Sequence, residues 1–101
     1  MKTIKAQKLT GILEKTRGLI GKKITGAIWF QTRWGIHTVG LFEPIDVIIL
    51  DNDMKVICVK NSLKPNRLYF WNPRYKNIIE APSGYAQKNA ITVGERIRFE
   101  N

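Results

Sequence analysis

The chain has one cysteine and one histidine, and these two shortages narrow its chemistry at once. A lone Cys58 in "KVICVK" rules out an intrachain disulfide and fits a reducing compartment. Flanked by Ile57 and Val59, it reads as a small packing residue. One His and one Cys do not fill the ligand sets of zinc sites with recognisable spacing, so neither a metal nor a cofactor is expected. Apolar runs of membrane length are missing too. The N-terminus "MKTIKAQKLTG" has no apolar stretch like a signal peptide's core, and no later window approaches a membrane span. The expectation is a cytoplasmic protein with no membrane partner. Acids are scarce: eight Asp and Glu stand against seventeen Lys and Arg, a formal charge of +9. Such a field attracts polyanions and speeds their encounter, which makes nucleic acid one expected partner class. The cations are dispersed, with "GKK" at 21–23 the densest pair, and dispersed charge is commonly just a solvating surface.

What remains is enough for one core. With 101 residues, 44% hydrophobic and 25% charged, the chain reads as a single domain over 1–101. Folding at this size removes roughly 65% of the unfolded surface, which needs neither disulfide nor metal. There are no repeats or linkers, so Gly and Pro punctuate the chain. Strands are expected over 3–9, 26–31 and 35–41, and a short helix over "LEKTRGLIGKK" (13–23). "IDVIILD" (45–51) is apolar on both faces and reads as a central strand, returning through "NDMK" into "KVICVK" as a hairpin. The stretch 64–76, with two prolines and mixed aromatics, reads as a loop or irregular edge. A strand over 77–82, one helical turn over 83–89, and strand, Gly turn, strand over 90–100 complete the pattern. The expected class is α+β, mostly β: a compact antiparallel sheet or small open barrel of six to eight short strands with one or two short helices.

Several of these segments, in this order, resemble one known family. "IHTVGLFEPIDVIILD" (36–51) looks like the signature of a widespread prokaryotic family, domain of unknown function 192 (DUF192). "RGLIGKK" (17–23), "KVICVKNSLKPNR" (55–67), "IIEAPSG" (78–84) and "ITVGERI" (91–97) resemble its other segments, covering residues 10 to 100. The resemblance implies the fold; the family's biochemical role is not established. Members commonly place Met, a basic residue and an apolar one before the proline, where this chain has Leu41, Phe42 and Glu43, an acid in place of a cation. The family's closing Gly-Asp is here Gly94-Glu95.

The candidate sites follow from chemistry. If 35–40 and 45–51 pair as a hairpin, His37 faces residues 46–49 and Asp46 comes within reach of its imidazole. A carboxylate there fixes the imidazole's tautomer, in catalysis or in plain structural bonding. The bland alternative has Asp46 accepting backbone hydrogen bonds at a strand end. Glu80, an acid in an apolar run, is a second buried group that would join His37 if the strands meet. Around Arg17, Gly18 and Gly21 offer amides for a phosphate, or the segment is a helix with solvated cations. Lys64, Arg67, Arg74 and Lys76 interleave with Tyr69, Phe70, Trp71 and Tyr75, as single-stranded nucleic acid requires, or the aromatics cover the core. Three readings result. One is a ligand-binding module with a polar pocket around His37, Thr38, Asp46, Glu80 and Arg17, for a small organic or anionic ligand. The second is a basic nucleic-acid or ribonucleoprotein-associated factor using Lys64, Arg67, Tyr69, Trp71 and Arg74. The third is a hydrolase-like enzyme with His37 as general base, oriented by Asp46.

Overall fold

The structure, a computed structural model, describes residues 1–8, 26–33, 35–38 and 41–100. The expected helix over 13–23, and Arg17 with it, lies outside the described residues. β-branched and aromatic residues dominate the rest, and they form strands. Among the described residues these are β1 (Lys2–Ile4), β2 (Gln7–Lys8), β3 (Ile28–Gln31), β4 (Gly35–His37), β5 (Ile45–Leu50), β6 (Val56–Leu63), β7 (Leu68–Phe70), β8 (Asn77–Pro82) and β9 (Ile97–Phe99). One short helix, α1 (Tyr85–Lys88), follows β8. The class is α+β and mostly β, as expected.

Five strands build the main sheet in the order β2-β3-β8-β5-β6. β2 runs parallel to β3, and the remaining neighbours are antiparallel. Two small ribbons flank it, β1 with β9 in parallel and β4 with β7 antiparallel. The sheet is apolar on both faces because both are covered. On one face Ile48, Leu50, Val56, Ile79 and Ala81 pack with Ala86 of α1, Ile4 and Ile97. On the other, Phe30, Val47, Ile49 and Ile78 pack with Ile36 of β4 and with Tyr69 of β7. All six residues of β5 are buried, as its composition requires. Trp29 stacks on Phe99 at 4.4 Å between centroids, with the Lys8 ammonium 4.7 Å over the indole, tying the edge strands to the first face.

The β5–β6 hairpin forms as its sequence indicates. Asp51 Oδ1 accepts from the N–H groups of Asp53 (2.8 Å) and Lys55 (2.9 Å), and Met54 takes a left-handed φ of 64° to close the turn. Three expectations need correction. β4 does not pair with β5: its partner is β7, because β5 is already flanked by β6 and β8. The 64–76 segment is not all loop, since Leu68–Phe70 is a strand. The segment 90–100 supplies one strand rather than two, with Gly94 at a φ of 94° in the turn before it.

Candidate functional site

Period-two alternation decides where each candidate points. In the β5–β8 register Asp46 lies opposite Ala81, and Val47 lies opposite Glu80. Neighbouring residues of a strand project to opposite faces. Asp46 therefore shares the α1 face with Ile48, and Glu80 shares the opposite face with Val47 and Ile78. The two buried acids stand back to back across the sheet.

Asp46 is fully buried and saturated. Its Oδ1 accepts from the Ser62 N–H at 2.9 Å, and its Oδ2 accepts from Gly84 (3.1 Å) and Ala86 (3.0 Å). It thus holds the start of α1, where no side chain of the helix's own N-cap does so, and fixes the edge strand at Ser62, whose φ is 53°. Three N–H donors account for why an acid heads an apolar strand. His37 is exposed and sits in the β4–β7 ribbon opposite Leu68, not across a hairpin from Asp46.

Thr38 is fully buried and organises a loop. Its hydroxyl donates to the Lys64 carbonyl at 2.7 Å and accepts from the Arg67 N–H at 2.8 Å. Its backbone N–H donates to the Arg67 carbonyl (2.9 Å), and its carbonyl accepts from Asn66 (3.0 Å). Lys64, Arg67 and Arg74 are exposed, whereas Tyr69 and Trp71 are half-buried against the second core face. The Tyr69 hydroxyl lies 3.5 Å from the Cys58 sulfur; burial first, and then Cys58, pushes this phenol up to about 12. Trp71 Nε1 donates to the Tyr75 carbonyl at 2.7 Å. These two aromatics cover the core, and the outward residues of β7 are Leu68 and Phe70 instead, each 67% exposed. The sequence named Phe70 among the aromatics of this stretch, but three residues are too short to show which of them face outward.

Glu80 is the unusual group. It is fully buried on the central strand, between Ile28 of β3 and Val47 of β5. Among the described residues neither carboxyl oxygen has a hydrogen-bond partner. Burial alone pushes its pKa up to about 8, so the acid is largely protonated at neutral pH. A surface cleft of about 410 Å³ lined by Met1, Lys55, Gly94, Glu95 and Arg96 contains none of the candidate residues. Among the described residues no group of three or more His, Cys, Asp or Glu is placed to hold a metal. Nor is any described helix long and apolar enough to cross a membrane.

The fold has counterparts among known proteins. A protein of unknown function from Novosphingobium aromaticivorans superposes with a TM-score of 0.72 at 16% identity, covering 90% of this chain and 70% of the other. A protein described as a candidate transcription regulator from Sinorhizobium meliloti gives 0.75 at 12%, covering 90% and 78%. Both likenesses concern the fold. A UPF0127 protein of Pyrococcus horikoshii is 34% identical over 93 residues, 86% of this chain and 80% of its own length. Another from Pyrococcus furiosus is 35% identical over 71 residues, 68% of this chain and 60% of that protein. The profile of DUF192, described as an uncharacterised conserved family, matches residues 2–99. The chain belongs to the DUF192 family.

Proposed function

We propose that this protein binds a small organic ligand through the carboxyl group of Glu80. One observation carries the reading: among the described residues, both oxygens of a fully buried carboxyl are without a partner. A buried polar group left unpaired costs about 1–3 kcal/mol even when neutral. Hydrophobic replacements of similar volume avoid that cost, so an unpaired acid at this position supports a use beyond packing. With its pKa near 8, the group offers one O–H donor and one carbonyl acceptor at neutral pH. Its neighbours Ile28 and Val47 are apolar. The matching ligand has an apolar body and a donor–acceptor edge, such as a carboxamide. Binding would then supply the hydrogen bonds that the folded protein lacks.

His37 and Asp46 carry less of this function than their sequence neighbourhood implies. Asp46 commits its carboxylate to three backbone donors, and His37 stands on another ribbon. Nothing in their geometry favours a hydrolytic pair. The test uses benzamide as the probe and toluene as its apolar control, read by thermal unfolding. Benzamide is expected to raise the Tm of the wild type, and to leave that of Glu80→Leu unchanged, with toluene weaker on the wild type. An equal benzamide response in both proteins would sink the proposal.

A further inference from the structure

The β4–β7 ribbon has an outward face that neither the core nor the Glu80 reading uses. Ile36 and Tyr69 point inward, so Gly35, His37, Leu68 and Phe70 point outward. Leu68 and Phe70 are each 67% exposed, which is unusual for large apolar residues side by side on one strand face. Phe70 is nevertheless held in place. It lies directly opposite Gly35, and a Cβ added to that glycine would stand 2.6 Å from the Phe70 ring and 2.6 Å from the Tyr69 carbonyl oxygen. The ring therefore rests one side on bare backbone, an arrangement only glycine permits, and turns its other side to solvent.

The sequence intervals that contain the ribbon's two strands carry charge of one sign. No Asp or Glu occurs between Glu14 and Glu43, which contains β4, or between Asp53 and Glu80, which contains β7. Arg33 precedes β4, Arg67 precedes β7, and both are exposed, as is Lys64. The loop bearing Lys64 and Arg67 is not loose. Thr38 holds it at both ends through the 2.7 Å bond to the Lys64 carbonyl and the 2.8 Å bond from the Arg67 N–H, with Pro65 and a left-handed Asn66 between them. The backbone that carries the two cations is thus fixed relative to the ribbon before any partner arrives, which lowers the entropic cost of binding.

We infer that this face binds single-stranded nucleic acid, with a base stacked on Phe70 and the phosphates neutralised by Arg67 and Lys64. Every base has a π-face, so the platform reads strandedness rather than sequence. A duplex keeps its bases stacked internally and offers the ring nothing. Charge complementarity selects a polyanion, and the exposed ring selects a polyanion whose rings are free.

The test is fluorescence anisotropy at low salt with labelled oligo(dT) and oligo(U) strands of roughly twelve nucleotides, within the usual site size for such surfaces. Binding of at least one strand is expected, and more tightly than a duplex of equal length. Phe70→Ala is expected to weaken it between roughly five-fold and roughly a hundred-fold, and Phe70→Leu to do nearly the same because it keeps the apolarity and loses the ring. Arg67→Ala should lower the slope of affinity against salt by about 0.7, the share of one phosphate contact on a single strand. Arg98→Ala, at the exposed position of β9, should cost much less than Arg67→Ala. Circular dichroism of each variant is expected to match the wild type, since the mutated side chains are exposed. The inference is overturned by equal duplex affinity, by full binding in Phe70→Ala, or by equal losses in the two arginine variants, which would mean net charge alone. It is also overturned if sedimentation shows a dimer that Leu68→Glu disperses, because a second copy would then own the face.

Discussion

Asp46 and Glu80 are two buried carboxyls on neighbouring strands with opposite circumstances. Asp46 has three backbone donors; Glu80 has none among the described residues. Asp46→Asn replaces a charge-assisted acceptor with an amide and turns one NH₂ toward N–H groups. It is expected to destabilise the protein by about 2–4 kcal/mol in urea unfolding, with an unchanged m-value. Glu80 acts through pH. Its folded-state pKa is raised to about 8 from 4.5, so the folded protein holds a proton that the unfolded chain releases. Stability from this group is fully present below about pH 4.5, declines as pH rises toward 8, and is flat above that. The urea midpoint should therefore be lower at pH 8.5 than at pH 5.5, and the pH slope should shrink in Glu80→Gln. At this scale the sequence marked two acids as candidates for burial, since each stands in an apolar run, and left their exposure open. It did not show their partners, because a strand's faces are assigned only once its neighbours are known.

Among the elements, the strong ones were readable and the weak ones were not. β5, β6 and β8 are apolar runs bounded by turn residues, and each formed where composition placed it. β4 and β7 are three residues apiece, too short to carry a period, and their partnership spans the whole β5–β6 hairpin. Local pattern cannot encode that pairing; the occupied edges of β5 do. Two residues hold the ribbon, and each gives a test. Thr38→Val removes the hydroxyl that bridges Lys64 and Arg67 and leaves the part-buried Arg67 N–H and Lys64 carbonyl without it, with an expected cost of about 1–3 kcal/mol. Faster amide hydrogen exchange at Arg67, with β8 still protected, would check it. Gly35→Ala places a methyl into the Phe70 ring and the Tyr69 carbonyl, so the ribbon must open locally. Chemical-shift changes in the Phe70 ring, with the main sheet unchanged, are the expected outcome.

For the whole molecule, the organising fact is a sheet buried on both sides inside a surface of charge +9. The excess of cations repels itself, so moderate salt is expected to raise the urea midpoint until screening is complete near 0.15 M, roughly a Debye length of 8 Å. The central strand, β8, comes late in the chain, yet β3 and β5 on either side of it come early. The β5–β6 hairpin can close locally, but the sheet must wait for β8 to enter between β5 and β3, a high-contact-order step expected on millisecond-to-second timescales. Until it does, β5 presents a bare edge of five aliphatic residues with Asp46 as its single charge. The residue that later caps α1 thus guards the unfinished sheet against sticking to another chain. More light scattering during refolding of Asp46→Asn than of an equally destabilised core variant would reveal that earlier duty.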